Sequence, residues 1–364
     1  MKIIFICTKP ITFNTFLKSQ ANFFIKKGYE VEIACSDVNR INFKNIIKHK
    51  IDFPKNVKEI FNILIFLKVI FQIKKIVKKN KFSIFYLHTP LASCLFRLIT
   101  LFDKLKIIYF VHGFRFISTS GSIKNFVFKV IEKFLSINTS CVITINNDDY
   151  NYAKFNLLKK IPCYKINGVG LNNKLYNLKK NLKIKKKNGI KNVLVIAAYK
   201  KEKGYLDLLK IAQITRYKKI KFKCYGYGNY KKFYNIKIKN KLENISFNKF
   251  DKNLKNKINK FDILLHLSKR EGLPVALMES LSLGLPVICY KIRGNKDLVV
   301  NNYNGYLINS YEEVPYKIYY LNLENNFFNK MRLNSTKSID EKFFEGEVNF
   351  KIYNILRNKF KISK

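Results

Sequence analysis

Two doubly wound α/β domains are predicted by three features of the sequence. Short apolar runs alternate with helix-length patterns, the alternation breaks once and restarts, and glycine and proline are scarce. The chain has 364 residues, more than one ordinary compact domain holds and a fitting length for two. Apolar residues make up 48% and aromatics 15%, which fills large cores and excludes a disordered chain. Only 14 Gly and 7 Pro occur, against a loop-rich all-β protein.

In the first half, Lys2–Cys7 reads as a strand, Thr15–Lys27 as a helix closed by Gly28, and Glu30–Cys35 as a strand. Phe61–Lys78 is a helix, Phe82–Leu87 a strand, Pro90–Leu101 a helix and Lys106–Val111 a strand. Ser122–Leu135 is a helix, Ser140–Ile145 a strand and Asp148–Asn156 a short helix. Strand–helix alternation of this kind marks a parallel sheet covered on both faces. Residues 171–191, rich in Lys and Asn, read as a surface linker. The pattern then restarts with Val193–Tyr199, helix Tyr205–Arg216, and strands at Lys221–Tyr225, Ile245–Phe247, Asp262–Leu267 and Pro286–Tyr290. The expected division is 1–170, a linker 171–191, 192–345, and a C-terminal helix within 346–364 that crosses back to the first domain. Facing Rossmann-like domains would form a cleft, with ligands at the carboxyl ends of the strands.

The formal net charge is +46. Either the excess marks a polyanionic partner, or it is compositional drift in a Lys- and Asn-rich chain, since lysines such as Lys74–Lys75, Lys185–Lys187 and Lys231–Lys232 run along its whole length. In both cases each cation near an anionic leaflet is worth about 1 kcal/mol, so weak adsorption to an anionic membrane surface is expected. The seven cysteines are odd in number, widely spaced and without C-x-x-C. They suit a reducing cytoplasm and give no metal framework. The N-terminal MKIIFIC reads as a strand, not a signal peptide. Phe61–Val77 is interrupted by Lys68, Gln72, Lys74 and Lys75, so no transmembrane helix is expected.

The segment SKREGLPVALMESLSLGLP, Ser268–Pro286, carries the chemistry. It follows an apolar strand. Glu271 and Gly272 make a loop, Pro274 suits the first helical position, and Leu277, Leu281 and Leu285 space an apolar face. Gly284 fits the left-handed residue that ends a helix, and Pro286 stops its continuation. A helix that starts at a strand end offers unpaired amides and about half a positive charge, which suits a diphosphate. The backbone at Gly272 can approach such a group closely. Glu279, just over one turn in, can accept two hydrogen bonds from a ribose diol. Glu271, at the loop tip, can accept from sugar hydroxyls.

This string resembles the E-x7-E signature of the family-4 retaining glycosyltransferases, with Glu271 and Glu279 as the two carboxylates. The resemblance extends over nearly the whole chain: LHTPLAS (Leu87–Ser93), FVHGF (Phe110–Phe114), INGVG (Ile166–Gly170), KGYLDLL (Lys203–Leu209), YGYGN (Tyr225–Asn229), RGNKDLV (Arg293–Val299) and NGYLI (Asn304–Ile308). It is nearest to bacterial enzymes that build surface polysaccharides, such as capsule or O-antigen, on a polyprenyl diphosphate lipid.

The resemblance implies a GT-B fold and a retaining transfer from a nucleoside-diphosphate sugar to a growing lipid-linked glycan. The enzyme would need neither cofactor nor metal and would sit peripherally on the inner, cytoplasmic face of the cell membrane. It also implies residue roles. Glu271 and His112 would be catalytic and Glu279 would hold the donor ribose. Lys203, Lys200, Gly272 and Leu273 would bind the diphosphate, and His88 would lie on the acceptor side. Cations and amides at the diphosphate would stabilise the negative charge that builds there as the sugar–phosphate bond breaks. Two departures stand out. Ala198 occupies the position of the family's usual Arg, with Lys200 or Lys201 left to supply the charge. Pro10–Phe16 lacks the usual glycine-rich loop.

Other readings are open to test. His49 reads as a surface residue and His266 as a packed one. Asp148–Asp149 reads as a helix cap, and no G-x-x-x-x-G-K-[ST] loop or Ser-centred elbow occurs. A basic nucleic-acid-binding protein would explain the charge, but the aromatics fall in apolar runs and no specific nucleic acid is expected. A catalytically inactive membrane-associated scaffold would explain Ala198.

Overall fold

The computed structural model describes residues 1–54, 57–116, 123–158, 160–180 and 189–361. Ser122 and residues 181–188 of the expected linker lie outside the described residues. Two compact units emerge: Met1–Val169 joined by the chain from Val348 onward, and Gly170–Glu347.

The first unit holds a seven-stranded, all-parallel sheet. Its strands are β1 Lys2–Ile6, β2 Glu30–Cys35, β3 Ile47–Lys50, β4 Ile84–His88, β5 Lys106–Val111, β6 Cys141–Thr144 and β7 Cys163–Lys165. They lie in the order β3-β2-β1-β4-β5-β6-β7. The central strands are continuous apolar runs because helices cover both faces. Ile3, Ile4, Phe5 and Ile6 have no exposed surface. Edge strands β3 and β7 were not expected from the sequence. IKHK and CYK carry too few apolar residues, since an edge strand needs only one neighbour and tolerates lysines.

The second unit holds six parallel strands in the order β10-β9-β8-β11-β12-β13. These are β8 Asn192–Ile196, β9 Lys221–Gly226, β10 Ile245–Lys249, β11 Ile263–His266, β12 Val287–Tyr290 and β13 Gly305–Ile308. Val193, Ile263 and Leu265 anchor its core with Tyr205, Phe222 and Ile318.

Three local expectations are corrected. The segment read as a bare linker includes a helix, Asn173–Lys180. The first helix starts at Pro10, not Thr15, and passes through a π-helical turn at Phe13–Leu17 before Lys18–Lys26. Pro10 presets the helical φ without forfeiting a needed amide, so no glycine loop intervenes. Pro274 is the N-cap and not the first helical residue. It is extended (φ −73°, ψ 119°), and the helix runs Val275–Ser282.

The C-terminal helix Glu345–Phe360 packs its later turns on the first unit. Tyr353 meets Phe23 and Tyr29 edge-on, and Asn349 Nδ2 donates to Ser19 Oγ at 3.3 Å.

Candidate functional site

In the second unit β8 and β11 are neighbours, and the sheet order reverses between them. Crossovers leave such a pair in opposite directions and open a crevice at the carboxyl ends. Both segments singled out in the sequence end there.

The turn after β8 delivers Lys203. Lys201–Lys203 form one 3₁₀ turn and Gly204 adopts φ 77°. A Cβ on Gly204 would stand 2.0 Å from the Leu267 carbonyl oxygen, so only glycine lets this turn lie on the end of β11. The Lys269 amide donates to the Glu202 carbonyl at 2.9 Å and locks the two loops together.

As a result, Lys203 Nζ stands 2.6 Å from Glu271 Oε1, and His266 Nε2 reaches the same oxygen at 3.2 Å. A carboxylate only accepts, so the His266 proton is on Nε2. Burial alone would raise the Glu271 carboxyl. The hydrogen bond and charge of His266, with the Lys203 ammonium, outweigh it and hold the pKa at about 2. Glu271 is therefore a fixed anion across the physiological range and a poor proton acceptor. From behind, Arg293 Nε donates to the Glu271 carbonyl at 3.1 Å. A Cβ on Gly294 would come within 2.0 Å of the Gly272 oxygen.

The helix Val275–Ser282 begins just beyond this loop. The Leu277 and Met278 amides bond back to the Pro274 carbonyl. The Val275 and Ala276 amides have no acceptor within the helix. The first turn has no side-chain cap and no acidic residue, so its positive end is not neutralised from within the helix. Gly284 (φ 74°) and Leu285 close the other end, their amides donating to the Leu281 and Ser280 carbonyls as in a Schellman motif.

Glu279 is mostly buried, and its Oε1 pairs with Lys255 Nζ at 2.5 Å. Lys200 is exposed at the N-cap of the 3₁₀ turn, and Ala198 lies in the loop two residues before it. Tyr227 and Phe250 follow the ends of β9 and β10. They stack at 4.0 Å with planes 18° apart, with Tyr227 61% and Phe250 40% exposed.

His88 and His112 belong to the first unit, at the carboxyl ends of β4 and β5. His88 Nδ1 and His112 Nε2 are 3.1 Å apart. His88 is sealed from solvent, stacked on Phe5 and edge-on to Tyr86, and His112 is partly exposed. Burial lowers both rings, His88 well below its usual value with a further push from His112, and His112 to about 4. Both are neutral at pH 7. Among the described residues His88 Nε2 has no partner, and a lone buried acceptor is tolerated better than a lone donor. His88 therefore carries its proton on Nδ1 and donates to His112, which leaves His112 protonated on Nδ1. The acceptor-side contact expected of His88 does not fit a sealed ring.

Sequence reasoning passed over two neighbours of the carboxylates. His266 looked like core because it ends an apolar strand. Its signal was its place five residues before Glu271. Lys255 had no local signal, because 24 residues separate it from Glu279. Among the described residues, no three His, Cys, Asp or Glu side chains gather as metal ligands, and no helix is long and apolar enough to cross a membrane.

Residues 178–337 match the family described as glycosyl transferases group 1. Residues 3–146 match the family described as glycosyl transferase 4-like. The putative glycosyltransferase EpsD of Bacillus subtilis (strain 168) is 25% identical over 322 residues, 84% of this chain and 83% of its own. The UDP-Gal:alpha-D-GlcNAc-diphosphoundecaprenol alpha-1,3-galactosyltransferase of Escherichia coli is 26% identical over 265 residues, 66% of each chain. The solved structure of Anabaena HepE in complex with UDP-glucose superposes with a TM-score of 0.76 at 16% identity, covering 98% of this chain and 100% of that one. That last likeness is one of fold.

Proposed function

This chain is a glycosyltransferase of the GT-B fold, and from that premise we propose that it is a retaining, metal-independent enzyme that moves a sugar from a nucleoside diphosphate to a lipid-linked glycan. The observation that carries the reading is the Lys203–Glu271–His266 cluster beside the uncapped start of the Val275–Ser282 helix. Lys203 and the amides of the first turn would hold the diphosphate and stabilise its charge as the sugar departs, which is the work a metal does elsewhere. Glu271 would orient sugar hydroxyls as a permanent anion; its low pKa argues against a general-base role.

Glu279 would accept from the ribose diol, and the Tyr227–Phe250 stack would carry the nucleobase. His112 would donate from Nδ1 to a sugar hydroxyl, with His88 as its positioning residue. The lipid diphosphate acceptor named for the Escherichia coli relative supports the same acceptor class here, in surface-polysaccharide synthesis at the cytoplasmic membrane face.

Calorimetry with a panel of nucleotide sugars tests the donor site. Glu279→Ala should weaken the preferred donor by ten- to a hundredfold, the loss of a charged hydrogen-bond acceptor worth about 1.5–3 kcal/mol. Equal binding by wild type and variant would refute the ribose assignment.

A further inference from the structure

The helix Ile123–Leu135 is apolar on two sides. Its inward side packs Phe128 on the core and buries Asn125, Glu132 and Leu135, and its outward stripe is Ile123, Phe126, Val127, Val130 and Phe134, continued by Ile137. The outward spacing is that of one helix face, where an ordinary surface helix carries polar residues. The inward carboxylate is paired. Glu132 Oε2 accepts from Arg97 Nη2 at 2.7 Å, and the Arg97 guanidinium lies 4.3 Å from the Tyr109 ring centre. The outward stripe has no such account, with Phe126 68% exposed.

This helix packs on Pro90–Ile99, which packs in turn on Ile63–Lys79. The outer face of Ile63–Lys79 carries Leu64, Leu67 and Phe71 in its first half, with Lys68 among them paired to Asp52, and is basic in its second (Lys74, Lys75, Lys78). At the far end of the layer Asn138 Nδ2 donates to the Thr100 carbonyl at 2.5 Å, and Leu98 and Phe102, on either side of Thr100 in sequence, are also exposed, the latter 95%. Lone exposed apolar residues need no explanation, but a contiguous face of them marks an interaction surface.

We propose that this three-helix face docks on an anionic lipid bilayer, with Ile123–Leu135 lying in the plane of the headgroup–acyl boundary. Two features select this occupant. Lys124 and Lys133 flank the stripe and the basic half of Ile63–Lys79 extends it, an apolar face in a cationic frame that suits anionic lipid. A second copy of the chain would bring the same lysines and the same +46 charge against them. Helices of a parallel sheet run opposite to its strands. The apolar starts of Ile63–Lys79 and Ile123–Leu135 therefore lie toward the carboxyl edge of the sheet, the edge that carries His88 and His112. The surface is distinct from the donor site and does not depend on it.

The chain contains no tryptophan, so Phe126→Trp is a single reporter in the full-length protein. On mixed phosphatidylglycerol–phosphatidylcholine vesicles its emission should shift to the blue and be quenched by brominated acyl chains. The response should persist at high salt, where attraction by charge alone is screened. Tyr217→Trp, 84% exposed in the other unit, should not respond. Phe126→Ser/Phe134→Ser should lower high-salt vesicle partitioning at least roughly tenfold with unchanged circular dichroism and unchanged nucleotide affinity. An unquenched Phe126→Trp, or undiminished partitioning of the double serine variant, would overturn the proposal. So would a blue shift that grows with protein concentration without vesicles, which would assign the face to a second copy. Donor calorimetry on the same variants reports separately on the nucleotide site.

Discussion

Lys203 and Glu271, 68 residues apart, meet at 2.6 Å because Gly204 lets one loop lie on the carbonyl of Leu267 at the end of β11. The pair gives the site a cation and an anion fixed before any ligand arrives. Preorganised charges need no rearrangement when the transition state forms.

The pair makes stability depend on acid. The Glu271 pKa falls from 4.5 to about 2 on folding, a difference of roughly 3 kcal/mol. The folded value is the lower one, so this contribution is full above the unfolded pKa and is lost as pH drops from about 4.5 through 2. Urea unfolding at pH 7 and pH 3 should show a smaller acid loss for Glu271→Gln than for wild type. Parallel losses would show that other groups dominate.

The histidine pair predicts a split between orientation and contact. His112→Ala should lower kcat by ten- to a hundredfold. His88→Phe, which keeps the ring stack with Phe5, should lower kcat by a smaller factor and leave KM for the donor unchanged. A change confined to KM would contradict the positioning role. Because the His112 pKa lies near 4, neither ring should produce a step in the pH–rate profile between about pH 5.5 and 8.

Ala198 tests whether the phosphate site is short of one cation. Ala198→Arg adds a planar, two-pronged donor to the loop after β8, where Lys200 offers only an exposed point charge. The preferred nucleoside diphosphate should bind several-fold more tightly to this variant by calorimetry, with a steeper loss of affinity in salt. Unaltered affinity would mean that Lys203 and the helix amides already suffice.

Tyr227 is exposed, yet it stacks on Phe250 at 4.0 Å. If the pair carries the base, Tyr227→Ala should weaken the preferred nucleoside diphosphate by about 1–3 kcal/mol and leave inorganic diphosphate unaffected. Equal weakening of both ligands would place the fault in the loop, not in stacking.

Much of this was legible in the sequence for one reason. Strands buried on both faces are unbroken apolar runs, and Ile3–Ile6 or Ile263–Leu265 cannot be read otherwise. The end of the Val275–Ser282 helix was equally plain, since Gly284 takes the left-handed turn that its sequence asks for. The edges of the first sheet were not legible: Ile47–Lys50 and Cys163–Lys165 each need only one neighbour and keep polar residues. The short helix Asn173–Lys180 was hidden by its lysines. Partnerships across the chain left no local trace either, so Lys255 beside Glu279 and His266 beside Glu271 appear only once the crevice is assembled.

The C-terminal helix sets an order of events during synthesis. Asn349 and Tyr353 supply contacts to Ser19, Phe23 and Tyr29, so the first unit lacks part of its own surface until the whole second unit has left the ribosome. The half of the molecule made first is the half finished last. A chain stalled after residue 347 would present a complete second unit and a first unit with Phe23 and Tyr29 uncovered, a ready target for chaperones and proteases.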